Sequence, residues 1–178
     1  MADQQRAMSS VLLAVRTTAR KALRSATAPD FLQLTALVKY VERFPEAIHQ
    51  LNEEKLLFRT LEDRQPALAR TVARFRRDHA AMKGYGIRLR TALRYWQQGD
   101  PKAGPLAANV ANDYVRYCRQ HARAERQDLL SAALRTFSRE EWEQIDQALE
   151  SVVDPVLRSR SRQECATALQ KLAGRPAA

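Results

Sequence analysis

Residues 68–96 read LARTVARFRRDHAAMKGYGIRLRTALRYW. Within this stretch Leu68, Val72, Phe75, His79, Met82, Gly86, Leu89, Leu93 and Trp96 follow one another at alternating steps of four and three residues. That spacing keeps one face of an α-helix turned toward a partner and is the seam of left-handed helix packing. Arg70, Arg74 and Arg77 fall between the seam positions and therefore face outward. One residue of the seam, His79, does not belong with the rest on hydrophobicity grounds.

The same spacing extends to either side. An earlier segment gives Gln5, Met8, Leu12, Val15, Ala19 and Ala22. A second gives Leu34, Val38, Val41, Pro45, Ile48 with His49, Glu53 and Leu56, and a fourth gives Val110, Tyr114, Tyr117, His121, Glu125, Asp128 and Ala132. Breaks fall at Thr27–Asp30, Asp63–Pro66 and Gly99–Pro105, with another at Arg135–Ser138. Between them the chain is rich in Ala, Leu, Arg, Glu and Gln, all good helix formers, and it lacks the alternation of β-branched residues that marks strands. Pro45 predicts a kink or a restarted helix. Ser138 and Glu141 form a capping-box pattern ahead of Trp142 and Ile145, which predicts a short fifth helix. The expectation is an all-α, up-down-up-down four-helix bundle with short extra C-terminal helices. The bundle and fifth helix take residues 1–157, and residues 158–178 form a helical extension and tail.

Composition narrows the class of protein. The chain has 178 residues, 45% of them hydrophobic, with a net charge of +10 carried by 24 Arg and 6 Lys against 20 acidic residues. No apolar run approaches the roughly 20 residues of a membrane span. The N-terminal MADQQRAMSS lacks a signal-peptide layout, and two cysteines, Cys118 and Cys165, make no disulfide framework. A cytoplasmic, reducing location is expected. Arg116, Arg119, Arg123 and Arg126 line the outer face of the fourth helix. Such a face is either solvated or an electrostatic surface for a polyanion, but it lacks the interleaved aromatics on which bases stack. No nucleophile paired with a base and no Gly-rich phosphate loop is present, so no enzyme activity follows.

The three histidines lie at matched distances from the helix connections. His49 and His79 are each about 15 residues from the second connection, and His79 and His121 each about 21 from the third, which in antiparallel helices means equal height. The same arithmetic brings Gln5 to that height on the first helix. Glu53 and Glu125 follow His49 and His121 by four residues and so share their faces. Three imidazoles and two carboxylates projecting into a bundle core suit iron, manganese or zinc. Asp78 and Asp128 are candidates to hold those ligands from behind.

These residues resemble the hemerythrin-like, HHE cation-binding family over about residues 4–157. The likeness rests on Pro29-Asp30-Phe31 at the start of the second helix, then Tyr40, Phe44-Pro45-Glu46 and the run from His49 to Phe58. It continues with Asp78-His79, with His121 to Glu125, and with Ser138, Trp142 and Asp154-Pro155. The resemblance implies a non-haem iron site of one or two ions, oxo-bridged in some members, that binds or senses O2, NO or peroxide or handles iron. It assigns His49, Glu53, His79, His121 and Glu125 as ligands, the two glutamates bridging. The chain departs from the family where Gln5, Leu13, Gln50 and Cys118 stand at positions that carry histidine in other members. Gln5 is then a weak ligand or a hydrogen-bonding neighbour of one. The alternatives are a degenerate, metal-free bundle that serves as an interaction module, or a basic polyanion-binding protein.

Overall fold

The computed structural model describes residues 2–25, 27–43 and 50–150, with side chains from residues 7 to 147 within those ranges. The kink expected at Pro45, the expected ligand His49 and the extension at 158–178 lie outside the described residues. All regular structure among the described residues is helical. The order is α1 (Ala2–Ser25), α2 (Phe31–Val41), α3 (Gln50–Asn52), α4 (Arg59–Arg64), α5 (Ala69–Gln97), α6 (Ala103–Glu125), α7 (Ser131–Thr136) and α8 (Arg139–Glu150). Two π-helical stretches, Glu53–Phe58 and Arg126–Leu130, join α3 to α4 and α6 to α7 without a break. The chain thus forms continuous rods over 50–64 and 103–136.

Local chemistry sets the ends. Asp30 caps α2 by accepting hydrogen bonds from the backbone N–H groups of Leu32 and Gln33, both at 3.0 Å. Gly99 takes φ +94° in the turn after α5, a conformation other residues rarely adopt. Helix α6 starts at Ala103, so Gly104 and Pro105 belong to its first turn rather than to the connection. Gly104 is required there because a Cβ would sit 2.7 Å from Trp96 Cε2. The capping box is present: Ser138 N donates to Glu141 at 2.8 Å, and Glu141 N donates to Ser138 Oγ at 3.3 Å.

Helix α1 packs on α2 and α6, and α5 packs on α2 and α6. The expected seams are buried on α1 (Met8, Leu12, Val15, Ala19, Ala22) and on α5 (Val72, Phe75, His79, Met82, Gly86, Leu89, Leu93). They form two apolar clusters. One runs from Met8 and Leu12 through Tyr40 and Leu89 to Tyr114 and Cys118. The other gathers Leu57, Phe58, Leu61, Phe75, Leu129 and Phe137.

The π-helical stretches correct two expectations. A π turn inserts an extra residue and so rotates the side chains beyond it about the helix axis. After Glu53 the buried residues are therefore Leu57 and Phe58, with Leu56 only half-buried. After Glu125 the core receives Leu129, while Asp128 turns out to solvent and pairs with Arg74 at 2.5 Å. Asp128 is not behind the histidine layer. Val110 and Tyr117 are also only half-buried, and Ala111 and Cys118 take the inner positions beside them.

Candidate metal centre

Glu53, His79, His121 and Glu125 are buried, each with less than a tenth of its surface exposed. They lie where the two apolar clusters meet. The His79 and His121 rings are 5.0 Å apart. His79 stacks on Phe58 at 5.4 Å and His121 meets Phe75 edge-on at 5.4 Å, so phenylalanines of one cluster floor the layer. One turn away on the other side, Cys118 Sγ and Gln50 Nε2 both donate to Met82 Sδ, at 3.6 and 3.9 Å. Two positions at which the resemblance implies histidine therefore meet on a thioether. With Gln50, the four side chains of the layer are the buried polar side chains among the described residues.

His79 and His121 each lie between two carboxylates. His79 Nε2 faces Glu53 Oε2 at 3.5 Å, and its Nδ1 lies 2.7 Å from Glu54 Oε1. His121 Nε2 faces Glu125 Oε2 at 3.9 Å, and its Nδ1 faces Asp78 Oδ2 at 3.6 Å. Asp78 is held from its other oxygen by the Tyr117 hydroxyl, which donates at 2.8 Å. Asp78 thus stands behind a histidine as expected, but behind His121 of the neighbouring helix and not its sequence neighbour His79. Glu54 was not expected at all. It lies one residue off the helical seam, and only the packing of its helix against α5 brings it to His79.

Burial sets the charge states. It pushes the Glu53 carboxyl up to about 7, a rise held back in part by a hydrogen bond with Glu125. It raises Glu54 and lowers His121, whose neutral ring is favoured despite the nearby Glu125. Tyr117 is pushed up to about 12, first by burial and then by its bond to Asp78, and stays a donor.

The donor types suit a metal. Nitrogen and oxygen ligands bind ions such as zinc at about 2.0–2.2 Å, so two ligands of one ion stand roughly 3–4 Å apart. The inner Nε2–carboxylate separations, 3.5 and 3.9 Å, are too long for hydrogen bonds and fall in that range. His121 Nδ1 is buried and makes no hydrogen bond among the described residues. Against this, no three His, Cys, Asp or Glu side chains among the described residues group so as to hold an ion. His49 is outside that set, and Gln5 is carried by α1 with its side chain also outside it.

A cavity of about 570 Å³ opens beside the layer, with His79, Glu54, Gln50, Arg76 and Lys83 among its walls. The arginines expected to face outward do so: Arg70, Arg74, Arg77, Arg116, Arg119, Arg123 and Arg126 are all exposed. No helix of the described residues is long and apolar enough to cross a membrane.

An all-helical protein with a buried layer of imidazoles and carboxylates has the features of the helical cation-binding proteins. The chain matches the hemerythrin HHE cation binding domain over residues 1–133 and belongs to that family. No curated protein and no solved structure matches the chain.

Proposed function

We propose that this chain is a hemerythrin-like metal-binding protein with one or two non-haem iron ions in its core, which binds or senses O2, NO or peroxide or handles iron. The buried layer of Glu53, His79, His121 and Glu125, set between two apolar clusters, carries the reading. In it His49, Glu53, His79, His121 and Glu125 hold the metal, in an up-down-up-down arrangement of four helices over residues 1–157. Bound iron supplies a redox centre and an open coordination position for a small ligand. Manganese or zinc would suit the same donors.

The chain's own residues do the rest. Glu53 and Glu125 place two potential negative charges where a divalent cation offsets the cost of burying them. Phe58 and Phe75 cover one side of the layer and exclude water there. Gln5 stands where other family members carry histidine. An amide oxygen is a weaker ligand than imidazole, so one side of the centre is more open.

Removing an inner residue should empty the site, and removing an outer arginine should not. After anaerobic loading with ferrous iron and desalting, His79→Ala and Glu125→Ala are expected to retain less than about a tenth of the wild-type metal, whereas Arg119→Ala retains all of it. Equal retention in all three variants would refute the assignment.

A second reading is a metal-free bundle that serves as an interaction module. The glutamine at position 5 favours it. Gln5→His separates the two: a marked gain in iron uptake supports a weakened centre, and a variant that stays empty supports the interaction module.

A further inference from the structure

The adjacent residues Asp78 and His79 on α5 serve different neighbours. His79 turns toward the rod over 50–64, where Glu53 and Glu54 meet its two ring nitrogens. Asp78, about 100° further round the helix, turns toward α6 and meets His121. Each imidazole therefore has one carboxylate toward the core on Nε2 and one toward the outside on Nδ1. The outer pair is accessible in part: the side chains of Glu54 and Asp78 are 33% and 24% exposed, against 3% and 2% for Glu53 and Glu125.

A neutral imidazole carries one N–H, and the hydrogen bond it donates decides which nitrogen is left as the electron-pair donor. Glu54 Oε1, at 2.7 Å from His79 Nδ1, takes that hydrogen bond. Asp78 Oδ2 lies 3.6 Å from His121 Nδ1, too long for a hydrogen bond, with Tyr117 donating to its other oxygen at 2.8 Å. The His79 ring then presents its Nε2 lone pair to the core. We propose that Glu54 is a positioning residue that fixes the Nδ1–H tautomer of His79 and aims its Nε2 atom into the layer. As a statement about this ring the inference stands on the metal-free protein; only its effect on metal affinity rests on the proposed function.

Histidine-selective nitrogen-15 NMR of the metal-free protein reads the tautomer directly. In the wild type His79 is expected as Nδ1–H with bare Nε2. Glu54→Ala should convert His79 to a mixture and leave the His121 signal unchanged. Glu54→Gln, which keeps an acceptor oxygen, should restore the wild-type tautomer. With cobalt(II) as the probe metal, Glu54→Ala should bind about 10- to 100-fold more weakly than wild type. A wild-type His79 ring protonated on Nε2, or a His79 signal unmoved by Glu54→Ala, would overturn the inference. If the wild type binds no cobalt while the tautomer follows this pattern, the metal reading fails and the positioning role stands.

Discussion

The metal-free protein should lose stability as pH rises from about 5 to about 8, and Glu53 should account for most of the loss. The carboxyl of Glu53 sits at about 7 in the folded chain against an ordinary 4.5, because burial penalises its charged form. Between these values the native state keeps a proton that the unfolded chain has released. Stability from this group is therefore fully present below the unfolded value and falls as pH rises toward the folded one. A separation of about 2.5 units corresponds to about 3 kcal/mol. His121 works in the opposite sense: its pKa is lowered by burial, so acid below its unfolded value of 6.5 costs stability. Glu53→Gln isolates the first effect, since it keeps His121 and removes the carboxyl. Denaturant unfolding of both metal-free proteins should give free energies that diverge by about 3 kcal/mol between the two pH limits, the wild type weakening relative to the variant. Parallel curves would show that Glu53 ionises normally in the folded protein.

Metal should reverse this weakness. A cation that replaces the proton binds only the folded layer, because the unfolded chain has no such site. At a free ion concentration about a thousand times the dissociation constant, linkage gives about 4 kcal/mol of stabilisation. For a chain of this size that raises the melting temperature by on the order of 10 °C. A chelator should remove the gain in wild type, and His79→Ala should show none. A melting temperature indifferent to metal and chelator would mean that nothing binds the folded core selectively.

The helical architecture was legible because the core-facing residues of α1 and α5 repeat at steps of three and four. Every buried residue expected on α5, from Val72 to Leu93, is buried. The meeting of His79 and His121 was legible by counting residues from a helix connection, since the rise per residue is constant. That counting failed just beyond the two carboxylates. The π-helical stretches at Glu53–Phe58 and Arg126–Leu130 break the 3.6-residue period, so Asp128 was assigned inward and Leu129 was not seen. Such stretches cluster at functional sites, and both start at or just after a core carboxylate. Glu54 was hidden for a different reason. Its position is off the seam, and its bond to His79 arises from contact between helices, which periodicity within one helix does not report.

The layer of His49, Glu53, His79, His121 and Glu125 is proposed to hold metal. An anaerobic titration of the apoprotein with ferrous iron, followed by metal analysis after removal of free ions, tests it most directly. Saturation is expected at roughly one to two ions per chain, in keeping with the di-iron or single-ion centres of helical bundles. Metal content indistinguishable from zero at saturation would contradict it.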